Sequence, residues 1–180
     1  MKKILSLVTM LIITSVSMAQ EERAFETRAS YNVNGDIHMI GNILMSCDGS
    51  DSDCVDDRNG SGDNNQSMLY VNEDAIAGFD NSSSATLNLP NNSNLLYAAL
   101  YWGGRAGDSD VNRNTIQIKV PGSNNYSTVT AIEVDTYSSG GNNNSRPYQA
   151  MADITSLVSS AGDGIYWVGD LTAVEGSDSL

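Results

Sequence analysis

Positive charge is what this chain has least of. It carries 9 Lys+Arg against 22 Asp+Glu, for a net charge of -13. An acidic surface repels phosphate backbones, so recognition of nucleic acid through a basic patch is excluded. Histidine is as scarce, with His38 alone. Two cysteines and one histidine leave little material for zinc sites or imidazole catalysis. Proline occurs three times. Long apolar runs are confined to the N-terminus, and no segment after it approaches the roughly 20 residues a membrane helix needs. Apolar residues still make up 40% of the chain, too many for a fully disordered one, and 180 residues suit one domain with a core.

The N-terminus reads as an export signal. Lys2 and Lys3 form a positive start, Ile4 to Val16 an apolar core of 13 residues, and Ser17-Met18-Ala19 a small-residue cleavage site. Residues 1–19 are therefore expected to be removed, leaving Gln20 first, with residues 20–30 a polar lead-in to a single domain over 31–180. Removal of Lys2 and Lys3 takes nine basic residues to seven against 22 acidic, a charge of -15. Lys119 is then the only lysine. Such a chain is expected outside the cell, without insertion of the mature polypeptide into a membrane and without nucleic-acid partners. In that setting Cys47 and Cys54 are most simply a disulfide closing a short acidic loop, contributing about 2–3 kcal/mol through chain entropy.

From Tyr31 onward, short apolar runs alternate with turn residues. Candidate strands are 36–40 with 42–45, 68–71, 85–89, 95–102, 115–120, 127–133, 148–154 and 165–168. The clearest is Thr115-Ile116-Gln117-Ile118-Lys119-Val120, which puts Ile116, Ile118 and Val120 on one face. Residues 95–102 read as a central strand buried on both faces and ended by Gly103-Gly104. Asn34-Gly35, Asp48-Gly49, Asn59-Gly60, Pro121-Gly122 and Asp163-Gly164 supply turn chemistry. Helix-length amphipathic segments between strands are missing, which excludes a parallel α/β fold. The expected fold is all-β, an antiparallel β-sandwich of jelly-roll type with one short helix. That helix spans 155–161, opened by Asp153 or Thr155 and closed by Gly162.

Candidate chemistry is sparse. Asp48, Asp51, Asp53, Asp56, Asp57 and Asp63 fall within 16 residues, an oxygen density that suits Ca²⁺. Asp51, Asp53, Asp56, Asp57 and Asp63 are the candidate calcium ligands, and no other cofactor is indicated. Residues 57–63 match the first half of an EF-hand loop, but its twelfth position is Met68 rather than Glu. The plainer reading is a solvated acidic loop. Trp102, Tyr126, Tyr137 and Tyr148 are candidate ligand contacts, able to stack on sugar rings if they share an exposed face. Trp102 and Trp167 also read as core or rim aromatics. His38 in a strand is no convincing general base, and G-x-S-x-G is absent. No enzyme class is supported.

Several stretches resemble a known family. They are Gly35-Asp36-Ile37 through Gly41-Asn42, Ser84 through Pro90, Ala99 through Arg105, Arg113 through Ile116, and Tyr148 through Val158. In this order they resemble the N-terminal domain of large Bacteroidota cell-surface proteins of adhesin type, cargo of the type IX secretion system related to gliding-motility-associated proteins. The resemblance implies an exported module that contacts an extracellular glycan or protein surface, with no catalytic residues to carry over. A carbohydrate-binding jelly-roll module, with or without calcium, is the alternative. Relatives continue past the segment resembling Gly176-Ser177-Asp178 with another strand, so one or more C-terminal strands are expected to be missing before Leu180.

Overall fold

The computed structural model describes residues 26–50, 54, 66–75, 78–107, 111–136 and 146–176. The signal segment, Asp51, Asp53, Asp56, Asp57, Asp63 and Tyr137 lie outside them. The described residues form nine strands, one α-helix and one 3-10 turn. The strands are β1 (Met45–Cys47), β2 (Met68–Tyr70), β3 (Ser82–Leu87), β4 (Ala99–Ala106), β5 (Thr115–Lys119), β6 (Ser127–Thr130), β7 (Glu133–Thr136), β8 (Arg146–Asp153) and β9 (Gly164–Gly169). The 3-10 turn covers Val111–Asn114, and α1 covers Thr155–Ala161. All ladders are antiparallel. They form a four-stranded sheet in the order β3-β9-β5-β6, a three-stranded sheet β4-β8-β7 and the pair β1-β2.

The fold is the expected all-β sandwich. Alternation places Ile116 and Ile118 of β5 inward, both 2% exposed. Facing them, β4 and β8 contribute Trp102, Ala106, Tyr148, Ala150 and Ala152, which cluster with Ile116, Leu44 and Leu171. A second cluster gathers Leu87, Ile118, Tyr166 and Val158, with α1 closing that end of the core. Ile154 stands at the helix N-cap position, where no side chain caps the helix. Asp153 instead accepts from the Thr155 N–H at 2.8 Å, just ahead of it. Gly162 ends the helix, its N–H donating to the Val158 carbonyl. Cys47 and Cys54 form the expected disulfide, with Cα atoms 5.7 Å apart.

Three strand expectations are corrected. Residues 95–98 are not part of a strand, since β4 starts at Ala99 and continues to Ala106. Leu95 and Ala98 pack instead against the helix cluster. The Ala98 backbone bonds Ile154 and Thr155 rather than a neighbouring strand. Nor is β4 buried on both faces, because Tyr101 is 53% exposed. Gly103-Gly104 does not end it. A Cβ at Gly103 would lie 2.6 Å from the Tyr148 carbonyl, so glycine there permits close strand approach rather than a turn.

The second correction concerns 127–133, where one long strand is two short ones. The Ala131 N–H bonds the Asn114 carbonyl beside the four-stranded sheet, and the next residue, Ile132, bonds Met151 of the three-stranded sheet. The chain changes layers between adjacent residues.

The third concerns 36–45, where only Met45 enters a strand. The period-two pattern is present, but no described strand pairs with it. Ile37 is 83% and Met39 88% exposed. Among the described residues the segment is tethered at its end, where Asn42 and the Ile43 carbonyl bond the Ser83 hydroxyl and the Leu44 carbonyl accepts from the Val71 N–H. Changing Ile37 and Met39 together to serine should therefore shift stability by no more than about 0.5 kcal/mol. A chemical-denaturation loss above roughly 1.5 kcal/mol would show that the two side chains are covered after all.

Candidate functional site

The two outer sheet faces differ. Over the three-stranded sheet, Arg28 of the lead-in pairs with Glu133 and lies 6.0 Å from the centre of the Tyr101 ring. Tyr31 reaches the Leu96 carbonyl from the same segment. The outer face of the four-stranded sheet carries instead a cluster of unlike side chains.

That cluster is built by strand register. Outward positions of β5 are Thr115, Gln117 and Lys119, and Lys119 pairs directly with Trp167 of β9. One residue before β6, Tyr126 flanks Lys119 on the other side. The Lys119 ammonium sits 4.8 Å from the Trp167 ring centre and 5.0 Å from that of Tyr126. Cations over aromatic faces are stabilised by the ring quadrupole. Phe79 meets Tyr126 edge-on at 4.9 Å. Asp74 completes the group, ion-paired to Lys119 and accepting from the Tyr126 hydroxyl at 2.9 Å.

Asp74 is held there by its own loop. Its N–H donates to the Ser82 hydroxyl, which donates to Asn72, while Asn72 also accepts from the Ala75 N–H and donates to the Phe79 carbonyl. Ser82 is fully buried, so this loop is anchored to the first residue of β3.

Beside Lys119 and Trp167 lies an open groove of about 350 Å³, lined among others by Pro121, Gly122, Ser123 and Ile165. Its rim is a turn in which Pro121 precedes Gly122, whose φ is +78°, and the Ser123 N–H bonds the Val120 carbonyl. This is the residue order a type II turn requires. Gly164 lets the Pro121 ring settle on the start of β9, since a Cβ there would lie 2.8 Å from the ring. Ile165, 51% exposed, forms the opposite edge.

The cluster's electrostatics follow from these contacts. The hydrogen bond from Lys119 holds the Asp74 carboxyl below its ordinary range, against an opposing effect of burial. Tyr126 is pushed up, first by burial, then by its hydrogen bond to the Asp74 carboxylate. Asp74 thus contributes stability that is complete above the unfolded carboxylate range and is lost as pH falls through its lower folded value. Asp170 runs the other way. Burial, then the charge of Asp80, raises it, so its contribution diminishes as pH rises. Thermal melts from pH 6 down to pH 2 should show a steeper loss in the parent chain than in Asp74→Asn, the two curves converging in acid. Parallel curves would exclude Asp74 as a source of the acid sensitivity.

Of the residues singled out by sequence, Trp102 and Tyr148 are core residues, 7% and 5% exposed, and cannot stack on a ligand from there. Their polar ends are bound internally, to the Arg113 and Thr172 carbonyls. Tyr126 is half-buried in the outer cluster. Asp48 bonds the Ser50 N–H and hydroxyl within its own turn. His38 is exposed, on the unpaired segment. Among the described residues, no three His, Cys, Asp or Glu side chains gather to hold a metal. No described helix is long and apolar enough to cross a membrane.

Sequence reasoning missed Lys119, Trp167, Asp74 and Phe79 as a unit. The available signal was phase. With Tyr166 inward, Trp167 must point outward, and Lys119, the single lysine after residue 3, occupies the polar phase of β5. Compared with protein-family models, curated proteins and solved structures, the chain matches none.

Proposed function

We propose that the chain is a non-enzymatic, exported contact module of adhesin type, and that its contact surface is the outer face of the four-stranded sheet. One observation carries the site. A partly buried Trp167, with Lys119 wedged between it and Tyr126, borders a groove of about 350 Å³ whose other edge is the exposed Ile165. A charge-compensated lysine between rings costs conformational freedom in advance, which suits binding through a pre-formed surface. The outer face of the other sheet is partly covered by the chain's own Arg28. A disulfide joining Cys47 to Cys54 fits an oxidising, extracellular setting.

The test is adhesion. Beads coated with the full exported chain are offered to surfaces bearing matrix proteins or polysaccharides, alongside the pair Trp167→Ala and Ile165→Glu, each checked for parent-like folding by circular dichroism. Retention should fall at least tenfold in both variants. Retention unchanged in both displaces the contact surface from this face, and no retention of the parent on any surface rejects the contact role.

A further inference from the structure

The groove beside Lys119 also restricts the chemistry of what it can hold. We propose that it takes a neutral carbohydrate, one sugar ring lying against Trp167 and Ile165; the inference rests on the contact role proposed above.

The lining is amphipathic in the way a sugar is. Trp167, Ile165 and Pro121 supply apolar faces for the C–H side of a pyranose. Hydroxyl-bearing residues frame them. In the ladder with β3, Ser84 pairs with Trp167 and Thr86 with Ile165, so two hydroxyls flank the apolar pair along one side. On the other side, the Ser123 hydroxyl donates to the Asn125 carbonyl and accepts from the Asn125 N–H, which leaves one acceptor lone pair for a ligand hydroxyl. A ligand without hydrogen-bonding groups would cover the Ser84 and Thr86 hydroxyls without giving them partners.

Charge decides against ionic ligands from both directions. The ammonium of Lys119 is compensated by Asp74, so an anionic sugar gains little local attraction. It also meets the long-range repulsion of a chain at -13. A cationic ligand would be drawn to the acidic surface at large but finds no carboxylate among the lining residues, and the nearby Asp74 is already paired with Lys119. The volume of about 350 Å³ is near the small end of ligand sites. Because the groove is open, that volume corresponds to direct contact with one or two sugar rings.

Tryptophan fluorescence makes the test local, because of the two tryptophans Trp102 is buried. The full exported chain is titrated with cello-, xylo-, manno- and galacto-oligosaccharides, with heparin as the anionic comparator. A saturable change is expected with at least one neutral series, and binding at least tenfold weaker to heparin. Ile165→Glu should weaken the neutral ligand at least tenfold. Trp167→Phe should remove the optical change while calorimetry still detects binding. Asp74→Asn frees the lysine charge and should improve heparin binding several-fold, a shift that a purely structural carboxylate would not produce. Tighter binding of heparin than of every neutral sugar by the parent overturns the proposal. So does the absence of binding to all four neutral series. If adhesion to protein-coated surfaces then still depends on Trp167 and Ile165, the contact face stands and only its carbohydrate specificity falls.

Discussion

Replacing Trp102 with alanine is expected to lower unfolding free energy by about 3–5 kcal/mol, the range for a buried aromatic truncated in a core. The ring belongs to β4 opposite Ala150 and clusters with Ala106, Ala152, Ile116 and Tyr148. Three of those neighbours are alanines, whose side chains cannot move into the space the indole fills. Two hydrogen-bonded sheets border the site, and a cavity between ladders collapses poorly. The indole N–H also donates to the Arg113 carbonyl at 3.1 Å, tying the 3-10 turn to the core. Trp102→Phe keeps most of the volume and should cost less, about 1–3 kcal/mol from the lost bond and residual void. Urea unfolding of both variants checks this, and at the chain's size the alanine change should lower Tm on the order of 10 °C. A loss under about 1 kcal/mol for Trp102→Ala would remove the ring from the core.

Asn81→Ala is expected to cost about 3 kcal/mol, because one side chain satisfies two main-chain groups. Asn81 is 1% exposed. Its amide nitrogen donates to the Leu171 carbonyl and its oxygen accepts from the Leu171 N–H, both at 2.8 Å. Each buried group left without a partner costs about 1–3 kcal/mol. Leu171 begins a strap that is not itself a strand. Beyond it, the Thr172 carbonyl accepts from Tyr148, Ala173 exchanges bonds with the Tyr70 hydroxyl, the Val174 N–H bonds Arg105, and Gly176 pairs with Met68. The strap thus pins the small β1-β2 pair to the sandwich. Hydrogen exchange should show residues 171–176 opening at lower free energy in Asn81→Ala, ahead of β5 and β9. Uniform protection across all three segments would mean that Asn81 is not the clasp.

Much of the sandwich was legible locally. Ile116 and Ile118 alternate with polar residues, and their strand formed where the pattern placed it. Hairpin-forming chemistry at Pro121-Gly122 produced the turn that rims the groove. The misjudged segments share a cause. Residues 36–40 alternate as well as 115–119 do, yet only the latter have strands on both sides. Leu95 and Ala98 are as apolar as a central strand, but a helix takes up their surface. The break after Thr130 has no marker, because Ala131 and Ile132 read in sequence as a continuing strand, yet one bonds the end of the 3-10 turn and the next bonds the three-stranded sheet.

The site shows the same division. Lys119, Trp167 and Tyr126 are each visible in sequence, but Asp74 lies 45 residues before its lysine, and local pattern carries no information at that distance. By itself the sequence determined an all-β sandwich, its inward β5 residues, the disulfide and a strongly acidic surface, since these depend on period-two alternation, the close spacing of two cysteines and simple counting. Only the tertiary structure decided which tryptophan is buried, which outer face stays open and which carboxylate meets Lys119, because those outcomes depend on strand order and register between residues far apart in the chain.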